Sequence, residues 1–323
     1  MKIQVSKNEW SPLKKVIVGL ADFARIPSMD KSLRTVNYSH VKNDCDIPPG
    51  GLYQLDVIRE ANEDLDRLST ELTKLGVEVV RPMNRPTDYY NYCPRDLATI
   101  IDTKAIVAPM ALQARKDDYR NIEGQLKNIY YVPNDQGDNN YNMDSIGNKD
   151  VLALNEFYPK FDAANIIRAN DDILYLVSNS GNKKGAHYLQ ELLGSKYRVH
   201  LLEGVYSYMH IDSTVAFLRE GLMLLNPSRI PDKSILPAPF NTWDAIYCPD
   251  PVDIGYTFYN NSSPWVNMNL LSVSEDLVVL EEHQESLRIE LEKHGIESLM
   301  LPMRHARTLG GCFHCVTLDL VRV

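Results

Sequence analysis

Pairs of short aliphatic runs separated by a polar turn recur four times along the chain. They are LATIIDTKAIVAP from Leu97, NIIRANDDILYLVS from Asn165, STVAFLREGLMLLNP from Ser213 and NLLSVSEDLVVLEE from Asn269. Aliphatic and β-branched runs flanking turns rich in Asp, Lys, Gly or Glu predict β-hairpins. A second period lies between them. Leu55, Ile58, Ala61, Leu65, Leu68, Leu72 and Leu75 recur at steps of three and four. That spacing predicts a helix over 53–75, stopped by Gly76 and followed by the strand VEVVRP. Another helix is predicted over 282–294, with Gly295 as its stop and IESLMLP after it. The unit is strand–turn–strand–helix–strand, repeated four or five times at irregular spacing. Units of this kind closing a ring would gather residues from distant segments around one axis. A generic α/β domain with several hairpins is the alternative. Segments 111–158 and 230–264, rich in Asn, Asp, Pro and Tyr, read as long loops of the kind that cover sites.

Composition narrows the function. A formal charge of −9 over 323 residues argues against nucleic-acid binding. No apolar run approaches the length of about eighteen residues that signals a membrane span. The start, MKIQVSKNEWSPLKK, has neither a signal-peptide core nor a transit-peptide bias. Five cysteines, at 45, 93, 248, 312 and 315, form an odd and sparse set. Such a set fits reduced thiols in a cytoplasmic compartment better than a disulfide framework.

The segment TLGGCFHCVTLDL carries the sharpest chemistry. Cys312 and Cys315 could be half a zinc site, a redox pair, one nucleophile with a bystander, or small buried hydrophobes. Zinc needs two further ligands, and no second Cys-x-x-Cys or finger-like His pair is present. The alternation of Val316, Leu318 and Leu320 with Thr317 and Asp319 predicts a strand. On a strand the two cysteines face opposite ways, and His314 points away from Cys315. Elsewhere, carboxylates or histidines stand at the mouths of the repeated hairpins: Asp96 in CPRDLA, Asp162 in PKFDAAN, and His210 with Asp212 in MHIDST. Each has a bland reading as a turn cap or a structural histidine. Equivalent placement across repeats points to a shared site.

The ordered motifs NEWSPLKKVIVG, VIREANEDLDRL, PRD, FDAAN, MHIDST, NPSR, SSPWVNMN and TLGGCFHC span nearly the whole chain. Together they resemble the amidinotransferase family of the guanidine-modifying superfamily, the glycine amidinotransferase group above all. The resemblance implies one domain over 1–323, a five-bladed α/β propeller (the pentein fold) of ββαβ repeats about a pseudo-fivefold axis. It implies Cys315 as nucleophile on the guanidinium carbon, His210 as general acid and base, and Asp162 as the carboxylate orienting that histidine. Asp96 and Asp212 match the guanidinium clamp. Arg229 matches the residue that binds the donor's carboxylate, Ser262 and Ser263 line the same end, and Met209 completes the pocket. Arg304 and His305 are left outside it. The implied reaction moves the amidino group of L-arginine to a primary amine, glycine by default, and releases L-ornithine. It needs no cofactor and no metal, engages no nucleic acid or membrane, and leaves a homodimer open. Two rivals stand: a hydrolase giving citrulline, and a non-catalytic arginine-binding protein. Two departures from the family pattern stand out: Cys312 replaces a glycine that allows close backbone approach, so its side chain is expected to narrow the site slightly, and Ser207 stands where glycine-using members carry asparagine, which bears on the acceptor.

Overall fold

The computed structural model describes residues 4–86, 89–133, 137–206 and 208–323. Ser207 therefore lies outside the described residues. The described residues form five three-stranded sheets and one short two-stranded ribbon, an α/β architecture. Every sheet has the same internal order: an antiparallel pair, then a third strand parallel to the middle one. The predicted hairpins form four of these pairs: Ala98–Ile101 with Lys104–Val107, Ile166–Ala169 with Asp172–Leu176, Val215–Arg219 with Leu222–Leu225, and Leu271–Ser274 with Leu277–Glu281. The fifth joins the two ends of the chain. Thr317–Arg322 runs antiparallel to Leu13–Val18, which is parallel to Glu78–Val80.

A parallel third strand demands a crossover. Three crossovers end in a helix, Leu55–Lys74, Lys183–Leu193 and Glu285–Lys293, each packed on its own third strand. The other two, residues 108–128 and 226–243, cross through short 3₁₀ turns, so the helix predicted for the repeat is missing there. The two loop-like segments also hold the third strands Ile129–Tyr131 and Asp244–Tyr247. The first long helix buries Val57, Ala61, Leu65, Leu68 and Leu72, whereas Leu55 and Leu75 are exposed at its ends. Its stop works as predicted. Gly76 takes φ +81°, its N–H donates to Thr73 O, and the Val77 N–H donates to Leu72 O. This is the paired bonding of a Schellman turn, which favours glycine.

A tight turn precedes the first strand of each hairpin: Pro94–Asp96, Ala163–Asn165, Ile211–Ser213, Pro264–Met268 and, before the C-terminal strand, residues 313–316. The first four touch one another in sequence order. The last meets both neighbours, since the Cys315 N–H donates to Asn269 Oδ1 and its carbonyl accepts from the Arg95 N–H. The predicted strand through Cys312 and Cys315 is thus a turn. The Val316 N–H donates to Cys312 O, and the strand begins at Thr317. Beneath the turns lies a buried charge network. Arg168 grips Glu9 at 2.7 and 2.8 Å and Asp319 at 2.8 and 3.0 Å, and Arg95 and Arg322 also reach Asp319.

Candidate active site

The five turns open on a cavity of about 660 Å³. Asp96, Asp162, Met209, His210, Asp212, Arg229, Ser262, Ser263 and Cys315 all line it. Arg304 and His305 do not; they bind Asp64 and Glu60 of the first long helix. Cys312 is fully buried and also lies outside the cavity lining. Among the described residues, no group of three or more potential ligands could hold a metal ion.

Two hydrogen-bonded groups face each other across the cavity floor. On one side His210 Nε2 lies 3.0 Å from Asp162 Oδ2, and Asp162 Oδ1 accepts the Ala111 N–H. The other ring nitrogen, Nδ1, is 3.6 Å from Asp96 Oδ1. Burial alone would lower the His210 pKa. The charges of Asp96, Asp162 and Asp212 outweigh burial and raise it to about 9. On the other side the Cys315 thiol donates to Asp212 Oδ2 at 3.1 Å, and His314 Nδ1 meets the same oxygen at 3.0 Å. Asp212 is held well below the usual carboxylate range: burial pushes it up, and the His314 and His210 interactions overcome that.

Asp96 lies between the two groups. Its Oδ2 is bound by Arg115, but Oδ1 is buried with no hydrogen-bond partner. Burial pushes its pKa up, opposed by His210 and Arg115. A buried carboxylate oxygen left unpaired is costly. Here it borders the cavity, with His210 Nδ1 3.6 Å away. The Cys315 thiol is raised well above its ordinary value by its contact with Cys93, by burial, and by Asp212. Gly311 makes the Cys93 contact possible. A Cβ there would sit 2.7 Å from Cys93 Sγ and 2.8 Å from Cys315 Cβ. The close approach expected at position 312 is thus required one residue earlier.

Arg229 stacks over Tyr206, its guanidinium carbon 3.5 Å from the ring centre, and donates to the Ser213 and Thr214 hydroxyls. Sequence reasoning missed four contributors: Arg115, Cys93, Asn269 and His314. Arg115 stands in a segment read as a loop, and Cys93 and Asn269 lie inside the quoted stretches CPRDLA and SSPWVNMN, which carry no cue to their partners. The fourth was misread, because the strand expected at residues 312–315 is a turn.

The geometry is a thiol and a histidine, each hydrogen-bonded to a carboxylate, with a further carboxylate, Asp96, beside the histidine, all on one cavity. Its sequence relatives carry the same kind of chemistry in their names. No protein-family model matches the chain. It is 41% identical over 336 residues to inosamine-phosphate amidinotransferase 1 of Streptomyces glaucescens, covering 98% of this chain and 95% of that protein. The solved structure of an inosamine-phosphate amidinotransferase from Streptomyces griseus superposes with a TM-score of 0.94 at 38% identity, over 100% of this chain and 98% of that one. The mitochondrial glycine amidinotransferase of Gallus gallus stands lower, at 30% identity over 98% of this chain and 82% of its own length. The chain belongs to the amidinotransferase family.

Proposed function

We propose that the protein transfers the amidino group of L-arginine to a primary amine through a covalent adduct on Cys315. The carrying observation is that Asp96, whose Oδ1 has no hydrogen-bond partner, lines one cavity with Asp212 and the Cys315 thiol bound to it. In this reading the five sheets are the blades of one propeller domain over 1–323, with the site at its axis.

The resting thiol is protonated, since burial and carboxylates disfavour a second anion. A guanidinium docking between Asp96 and Asp212 offsets those charges and favours the thiolate, whose proton passes to solvent as substrate arrives and is regained from solvent when Cys315 is released. Charge-assisted bonds to its N–H groups set the central carbon before sulfur. Sulfur attacks, and a C–S bond forms. Protonated His210, oriented by Asp162, gives a proton to the departing amine as the C–N bond breaks, and ornithine leaves. The acceptor amine then enters, neutral His210 takes its proton, its nitrogen attacks the amidino carbon, and the C–S bond breaks to restore Cys315. Arg229 holds the donor carboxylate, with Ser262, Ser263 and Met209 lining that end.

The relatives' names point to acceptors as different as an inosamine phosphate and glycine, so the acceptor is argued from the cavity. Its volume and its wall of Tyr38, Tyr206, Tyr208, Tyr256, Phe258 and Tyr259 suit an amine larger than glycine. The test is mass spectrometry of the intact protein with arginine alone, then with a panel of amines from glycine to aminocyclitols. An amidino adduct on Cys315, released by amine with ping-pong kinetics, supports transfer. Continuous citrulline without amine would show a hydrolase, and neither adduct nor product a binding protein.

A further inference from the structure

A second histidine stands behind the proposed nucleophile. His314 occupies the turn next to Cys315, is 8% exposed, and sends Nδ1 to Asp212 Oδ2 at 3.0 Å. That one oxygen also receives the Cys315 thiol. On its other edge, His314 Nε2 lies 3.7 Å from Glu9 Oε2, and Glu9 is clamped by Arg168 from two directions. The imidazole therefore spans the gap between the buried charge network and the cavity. A pocket of about 20 Å³ among Glu9, Asp212, Ser272, His314 and Arg322 adjoins it, room for roughly one water.

We propose that His314 is a positioning residue for amidino transfer. By donating Nδ1–H to Asp212 Oδ2, it fixes the carboxylate, aligns the thiol on Oδ2, and leaves Oδ1 for the guanidinium. The proposal rests on the amidinotransferase reading above. The physical case is that a buried carboxylate resists ionisation, and a dedicated donor offsets that resistance. The groups facing Asp212 are His314, His210, Cys315, Arg229 and Tyr206. Those facing His314 are Asp212, Glu9 and Arg322, with Arg95 donating to its carbonyl. Of these, His314 and Cys315 hydrogen-bond to Asp212 Oδ2, and Cys315 must abandon that bond to react.

Two near-isosteric substitutions separate positioning from packing. In His314→Asn the amide nitrogen can stand near the Nδ1 position and keep the bond to Asp212. In His314→Gln it reaches toward the Nε2 position and Glu9 instead. Adduct formation from arginine is followed on the full chain over a range of arginine concentrations. The expected result is that Asn keeps the arginine KM close to wild type. Gln raises KM by about tenfold while the maximal rate of adduct formation stays within about threefold, because Asp212 is no longer held for the guanidinium. Melting temperatures of the two variants should match. Equal behaviour of Asn and Gln overturns the proposal, as does a wild-type KM in Gln. A wild-type protein that takes no amidino group from arginine overturns the underlying functional reading instead.

Discussion

Two clusters of buried charge lie back to back, and they are built on opposite principles. The inner one, Glu9, Arg95, Arg168, Asp319 and Arg322, is closed. Its carboxylates are gripped by guanidinium groups, Ser6 caps Asp319 at 2.7 Å, and one Arg95 nitrogen alone lacks a partner. The outer one, Asp96, Asp162, His210, Asp212 and Cys315, is left open, with Asp96 Oδ1 at the cavity, 3.6 Å from His210 Nδ1 and without a hydrogen-bond partner. Sequence neighbours are divided between them. Arg95 belongs to the closed cluster and Asp96 to the open one, while His314 touches Glu9 on one side and Asp212 on the other. The closed cluster ties both ends of the chain to the strands beginning at residues 98 and 166. The open cluster keeps a buried oxygen without a hydrogen-bond partner, a local cost of the kind that functional sites carry.

Substitutions should therefore separate the two clusters. The largest effect is expected for Cys315→Ala, which should cut arginine-dependent turnover by about 10⁴-fold or more and abolish the adduct on the intact protein. A retained adduct would move the nucleophile elsewhere.

Next, Arg168→Met should lower unfolding free energy in urea by about 3–5 kcal/mol, since it removes the guanidinium that grips buried Glu9 and one of the three around Asp319. Asp96→Asn should change stability by no more than about 1 kcal/mol, because burial already disfavours its charge. It should still cost kcat/KM for arginine a few kcal/mol, about 10²-fold. Equal destabilisation by both variants would erase the distinction between closed and open.

A smaller effect is expected from Asp162→Asn, read in pH profiles. The folded His210 pKa lies above its ordinary 6.5, at about 9. Its stabilising contribution is therefore full below about 6.5 and fades as pH rises through 9. Losing the Asp162 charge should bring that fall, and the alkaline limb of activity, down by about one pH unit. An unmoved limb would detach His210 from Asp162. The smallest effect is expected for Cys312→Ala, which is outside the cavity lining. Activity should stay near wild type while the truncation costs about 1 kcal/mol in urea unfolding. Loss of turnover comparable to Cys315→Ala would restore the redox-pair reading.

The residues read as a site from scattered motifs line one cavity, because each occupies the tight turn before a hairpin or lies beside it. Turn chemistry and hairpin boundaries are local, and local patterns report them. His314 escaped that reading. Alternation in Val316–Leu320 was extended backwards by four residues, into a segment whose Val316 N–H bonds to Cys312 O as in a helical turn. Arg115 escaped because its partners, Asp96 and the Cys93 carbonyl, lie 19 and 22 residues away on another element.

By itself the sequence determined four hairpins, the long helix and its glycine stop, and the chemical types standing at the hairpin mouths. These follow from side-chain period, from glycine's access to positive φ, and from the turn preferences of Asp and Asn, all properties of short stretches. Only the tertiary structure decided which crossovers are helical, that the two chain ends share a sheet, and which of two adjacent residues enters which charge cluster. Arg168 meets Glu9 across 159 residues and Asp319 across 151, and Cys315 meets Asp212 across 103. Burial on both sides of these turns removes the polar–apolar contrast that patterns depend on, so the sorting of Arg95 from Asp96 is set by distant partners alone.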